Sequence, residues 1–239
     1  MKHEIQKQST TTAALLKELG VDAAELKAVW FGYPMAQFVV PERFGEELEV
    51  TTCELQTFGP EDCMAHALLD VCEELRRSTE CTCTFGHEGG YQVVTILGDV
   101  CSKKGKPDDI ALLRDLAPVM QAQALCGEGR ALASAVLQAL DLFGPEIEAH
   151  ITKKSCPSGG CPAFKTYHIL VSKCTGCGKC LDACDDDAIM GKAKFVHVVD
   201  QRKCSQCGAC LEACPEGAVV RAGAKKPKTP PRPIPVRRK

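Results

Sequence analysis

The chain has 239 residues, a formal net charge of −2 and 17 cysteines. Near-neutral charge gives no field favouring nucleic acid or a membrane surface, and no apolar run reaches membrane-spanning length. The polar start MKHEIQKQSTTT is no secretion signal, and this many cysteines then read as metal ligands of a cytoplasmic protein rather than disulfides.

In chain order, residues 1–50 read as a small α+β unit. Thr10–Gly20 carries Leu15, Leu16 and Leu19 on one helical face, with Gly20 as its stop. Lys27–Gly32 and Ala36–Val40 are apolar, strand-like runs around Tyr33-Pro34. Residues 60–150 read as a helical bundle. Pro60 opens a first helix, with Met64, Ala67, Leu68, Val71 and Leu75 at helical spacing. A second covers Tyr91–Val100 and a third is capped by Asp108. The fourth, Ala131–Phe143, ends at Gly144-Pro145. Cys53 and Cys72 fit as small buried residues; His66, His87, His168 and His197 fit surface or hydrogen-bonded positions.

Residues 151–166 form a Cys/Pro/Gly-rich connector. His150-x5-Cys156-x4-Cys161 offers three ligands, and Cys63 is the candidate fourth. Cys₃His is a closed structural zinc set. The competing reading leaves His150 as a helix-end residue and the connector cysteines unliganded.

Residues 167–222 carry one pattern twice: Cys174-x2-Cys177-x2-Cys180-x3-Cys184 and Cys204-x2-Cys207-x2-Cys210-x3-Cys214. The copies also agree at Lys173/Lys203, Gly178/Gly208, Leu181/Leu211, Ala183/Ala213 and Ala188/Ala218. This is two-cluster ferredoxin spacing, in which the fourth cysteine of each run serves the other cluster. Cys174, Cys177, Cys180 and Cys214 are therefore assigned to one [4Fe-4S] cluster, and Cys204, Cys207, Cys210 and Cys184 to a second. Zinc spacing fits these runs poorly. Asp185 stands where the first run would have proline, and Asp185, Asp186 and Asp187 place negative charge beside one cluster, predicting a lower potential there. Residues 223–239 are basic and proline-rich, a composition expected to be disordered.

The segments KAVWFGYPMAQFV, PEDCMAHALLDV, EGGYQVVTILGDV, ALCGEG and EAHITKKSCPSGGCPA, followed by the cysteine repeats, occur in a telling order. In that order the chain resembles the C-terminal half of the NADH-binding flavoprotein subunit of bacterial complex I, and of its relatives in electron-bifurcating [FeFe]-hydrogenases. The resemblance implies a β-grasp-like, soluble-ligand-binding unit at 1–50 and a zinc site at the connector. It implies no FMN or NADH site in this chain, because no glycine-rich flavin-binding segment precedes the connector.

The same family holds another [4Fe-4S] cluster in its bundle, by Cys-x2-Cys-x2-Cys and a distant cysteine in an LCG turn. Here Cys83 matches the middle ligand and Cys126 the distant one. Gly86 stands at the third position, and the first falls on Glu80 unless Cys81 substitutes. With Cys101 as a further ligand, Cys81, Cys83, Cys101 and Cys126 could hold a rebuilt third cluster; the other reading is a lost site.

The α+β chain is thus expected to be an iron–sulfur electron-transfer subunit of a multi-subunit oxidoreductase with no catalytic site of its own. NAD(P)H, ferredoxin or hydrogenase chemistry, electron bifurcation included, is implied by resemblance, with flavoprotein and other redox subunits, or ferredoxin, as partners. The alternative is a scaffold whose clusters and zinc mainly stabilise an assembly. A nucleic-acid-binding metalloprotein, suggested by cysteine pairs and a basic tail, lacks the clustered basic face that phosphate contacts need.

Overall fold

A computed structural model describes residues 2–79, 83–223 and 225–236. The chain forms two compact units, Met1–Ala163 and Phe164–Lys239. Among the described residues no helix is long and apolar enough to cross a membrane.

The first unit opens with β1 (Lys2–Ile5), β2 (Gln8–Thr11), α1 (Thr12–Glu18), β3 (Ala28–Phe31), β4 (Gln37–Val39), β5 (Glu47–Val50) and β6 (Cys53–Phe58). An antiparallel sheet runs β1-β6-β3-β4, and β2 pairs with β5 separately. Side chains of β3 alternate between two cores, as a strand requires. Val29 and Phe31 join Leu15, Leu16 and Leu55 on one face, while Trp30 packs at a tilt against Phe38, which meets Phe143 edge-on. The helix and two strands expected in residues 1–50 are present, but the sheet takes a central strand, β6, from beyond residue 50.

Four helices follow: α2 (Met64–Ser78), α3 (Thr84–Cys101), α4 (Asp109–Gln123) and α5 (Gly127–Thr152). α5 lies against the other three and ties the edge of the sheet. Gln138 accepts the Phe38 N–H at 2.9 Å and donates to the Ala36 carbonyl at 3.0 Å, satisfying edge groups that would otherwise be orphaned.

Several helix boundaries differ from expectation. Residues 59–62 form a turn closed by Gly59 N–H donating to Asp62 (2.7 Å), so α2 starts at Met64 with Cys63 as its cap. α3 begins at Thr84, well before Tyr91, and includes Gly86, Gly89 and Gly90; at Gly89 a Cβ would lie 2.8 Å from the Met120 sulfur of α4, so the bare glycine permits a close helix contact that offsets its low propensity. Asp108 occupies the cap position of α4 without a capping bond; Asp109 instead accepts the Lys106 N–H. α5 runs straight through Gly144-Pro145. Proline removes one helical bond, but Arg114 takes the neighbouring Leu140 carbonyl. Phe143, Ile147 and Ile151 continue one buried stripe across the break.

The second unit holds β7 (Thr166–Ile169), α6 (Lys179–Asp182), β8 (Ile189–Met190), β9 (Phe195–Val196), β10 (Val198–Val199), α7 (Ala209–Glu212), β11 (Val219–Ala222) and β12 (Ile234–Pro235). β7 pairs with β11 and β8 with β10. The sequence repeat reappears in the backbone: α6 and α7 sit at matching positions, each preceded by a left-handed glycine, Gly178 (φ +90°) and Gly208 (φ +91°), where a side chain would be strained. The tail departs from the expected disorder. Ile234–Pro235 pairs with β9, and Val236 N–H donates to the Lys194 carbonyl at 3.0 Å. The fold is therefore α+β: a small N-terminal sheet, a helical bundle and a C-terminal dicluster module.

Candidate metal centres

Two groups of four thiols form in the second unit. The charges acting on Cys180 come from Cys174, Cys177 and Cys214. Those acting on Cys210 come from Cys204, Cys184 and Cys207. Burial first, and these neighbours second, push both thiols up to about 11, a cost that ligation to a cation removes. Each run wraps three cysteines around its left-handed glycine and lends its fourth to the other run. The fourth cysteines are held alike: Ala188 N–H donates to Cys184 Sγ at 3.4 Å and Ala218 N–H to Cys214 Sγ at 3.3 Å. Cys177 and Cys207 are exposed, whereas Cys174, Cys180 and Cys210 are buried. These donor sets fit two cubanes.

Cys63, His150, Cys156 and Cys161 meet in the first unit, all buried, with ligand atoms within 4.8 Å of one another. Cys63 Sγ lies 3.3 Å from Cys161 Sγ, and His150 Nε2 is 3.4 Å from Cys161 Sγ. Ligand edges around a zinc ion are roughly 3.5–3.8 Å, from bonds of about 2.3 Å to sulfur and 2.0 Å to nitrogen, so the group is already close to tetrahedral size. Glu146 supports two ligands at once. Its carbonyl accepts the His150 Nδ1–H at 2.8 Å, which turns Nε2 towards the sulfurs. Its carboxylate accepts the Met64 N–H at 3.2 Å beside Cys63 and pairs with Lys27 at 2.6 Å. Gly160 lets the connector approach, because a Cβ there would lie 2.8 Å from the Cys63 nitrogen. Burial opposes a charge on His150, but the thiols of Cys156 and Cys63 outweigh it and lift its pKa to about 10.

The bundle site is different. Cys83 caps α3 and Cys126 caps α5, and Cys126 N–H donates to Cys83 Sγ at 3.3 Å. Gly86 leaves room for both sulfurs; a Cβ there would overlap the Cys126 sulfur and lie 2.8 Å from that of Cys83. Cys81 lies outside the described residues. Cys101 does not join this site. It is the last residue of α3, the far end of an 18-residue helix from Cys83, a separation of roughly 27 Å at 1.5 Å per residue. It stands instead beside Cys161 and His66. Spacing could not show this, because it does not reveal that one continuous helix parts the two cysteines.

Sequence reasoning also missed Glu146 and His197. His197 is 1 % exposed and its Nδ1 lies 3.8 Å from Cys174 Sγ. The signal was present: His197 stands seven residues before Cys204, as Tyr167 stands seven before Cys174.

Residues 64–150 match the NADH-ubiquinone oxidoreductase-F iron-sulfur binding region, and residues 173–228 match the 4Fe-4S dicluster domain. The chain is 34% identical over 137 residues to the NADP-reducing hydrogenase subunit HndC of Solidesulfovibrio fructosivorans, covering 57% of this chain and 28% of that protein. It is 32% identical over 106 residues to the F subunit of the NADH-quinone oxidoreductase of Streptomyces coelicolor, covering 44% of this chain and 24% of that one. The matched segments thus span about a quarter of the length of these relatives. In fold, the chain is similar to an NAD+-reducing [NiFe]-hydrogenase solved in the H2-reduced state, with TM-score 0.55 and 13% identity over 60% of this chain and 26% of the other. Two matched iron–sulfur regions in this order make the chain an iron–sulfur electron-transfer region like the C-terminal part of HndC and of the quinone oxidoreductase's F subunit, with partial homology to each.

Proposed function

We propose that the chain relays single electrons within a multi-subunit oxidoreductase, through two [4Fe-4S] clusters held by Cys174, Cys177, Cys180 and Cys214 and by Cys204, Cys207, Cys210 and Cys184. The observation that carries this reading is the doubled cysteine run, each copy wrapped around a left-handed glycine, inside the segment that matches a 4Fe-4S dicluster domain. Bound clusters supply reversible one-electron chemistry; the chain's own residues hold them, exclude water from the buried sulfurs and set their surroundings. Likeness to an NADP-reducing hydrogenase subunit and to an NADH-quinone oxidoreductase subunit supports NAD(P)H- or hydrogen-linked chemistry in the assembly; a flavoprotein and other redox subunits or ferredoxin as partners, and electron bifurcation as the wider activity, are part of the proposal and rest on the order of the sequence segments alone. Cys63, His150, Cys156 and Cys161 hold a structural zinc ion that fixes the connector to the bundle; the closed, buried Cys₃His geometry supports it.

Anaerobic isolation followed by redox-titrated EPR tests the relay. Brown protein bleached by dithionite, with two interacting cluster signals, is expected. Folded, colourless, iron-free protein would overturn it.

A further inference from the structure

The two halves of the second unit are not equivalent where an aromatic side chain meets a cysteine loop. Tyr167 reaches Gly208 in the second loop, where a Cβ would lie 2.8 Å from its hydroxyl oxygen. Its repeat counterpart, His197, reaches the first loop and places Nδ1 3.8 Å from Cys174 Sγ. A neutral imidazole carries one N–H and one lone pair. Its Nε2 is buried without a hydrogen-bond partner. A proton on Nε2 would be a buried, unpaired donor and would leave a lone pair facing sulfur. A proton on Nδ1 points the donor at the thiolate, the less costly arrangement. The ring is held in place by Gly191, where any Cβ would overlap it.

We propose that His197 is a positioning residue that donates its Nδ1–H to Cys174 Sγ and thereby makes the cluster of Cys174, Cys177, Cys180 and Cys214 the higher-potential member of the pair. Donation to a ligand sulfur draws off electron density and stabilises the reduced, more negative cluster. At the other cluster the acidic run follows Cys184, and Asp186 accepts hydrogen bonds from both the backbone and the hydroxyl of Ser205. With clusters bound, the two sites would differ in potential, the higher lying on the His197 side.

This inference rests on the electron-relay reading, and one experiment separates the two. The full chain and its His197→Phe and His197→Tyr variants are titrated anaerobically by EPR, with Cys174→Ser marking which signal belongs to the Cys174 cluster. A negative shift of that midpoint alone, in both variants, is expected. Midpoints that stay put, or move together, would overturn the role of His197. Absence of two reducible clusters in the unaltered chain would sink the relay and this inference together. Pulsed EPR on unaltered protein with ¹⁵N-labelled histidine is independent of how the variants fold. It should read a nitrogen coupling at the Cys174 cluster, and its absence would also overturn the proposal.

Discussion

Cys63 Sγ lies 3.2 Å from His150 Nε2 across 87 residues of chain. One sits at the start of α2 and the other near the end of α5, so an ion held between them staples the two helices and the connector together. Replacing Cys161 by serine should release zinc, measured by elemental analysis. A ligand present at a thousand times its Kd stabilises the fold by about 4 kcal/mol. Thermal unfolding of the variant should therefore fall well below that of the zinc-loaded chain. A full complement of zinc in Cys161→Ser protein would contradict the assignment.

Zinc binding should also release protons. His150 has a pKa of about 10 beside its thiols, above the usual histidine value near 6.5. In the zinc-free fold its proton contributes stability that is complete below the unfolded pKa and lost as pH rises through about 10. Zinc takes neutral imidazole and thiolate, so it must displace that proton at neutral pH. Apparent affinity should fall as pH is lowered, and calorimetry in buffers of different ionisation enthalpy should count the protons released. Affinity independent of pH between 6 and 8 would argue against His150 as a ligand.

Iron quantitation addresses the bundle site. About eight irons per chain would mean that only the two cubanes are bound, and about ten or twelve that the bundle site also holds a cluster. The double variant Glu80→Cys/Gly86→Cys restores the Cys-x2-Cys-x2-Cys spacing and, with Cys126, should raise the content towards about twelve.

The acidic run offers a further test. Asp185→Pro removes one negative charge next to Cys184 and should raise the potential of the cluster served by that cysteine. Redox-titrated EPR reads the shift, and unchanged midpoints for both clusters would sink the argument.

Much of this was legible in residue order. The cysteine repeats pointed to the proposed ligand groups because a cubane needs its donors at set distances, and spacing encodes distance when the intervening chain is a tight loop. The same reasoning failed for Cys101, where the intervening chain is a rigid helix. The polar strands β1 and β2 carry little alternation and became recognisable only through partners far along the chain. Gly144-Pro145 reads as a stop, yet the apolar stripe at Phe143, Ile147 and Ile151 runs on across it and keeps α5 intact. Burial of Phe143 and Ile147 outweighs one lost backbone bond. His197 was read as a surface or hydrogen-bonded histidine because its importance lies in what it lies against, a relation that the repeat could have suggested through Tyr167.

The pairing of Ile234–Pro235 with β9 gives the basic tail a task. β9 ends at Val196, the residue before His197, so the last described turn of the chain buttresses the strand that aims the imidazole. Removing residues 224–239 would free that strand on one side, and the Cys174 midpoint would drift although every ligand remained. An affinity handle fused at that end would tug on the same buttress.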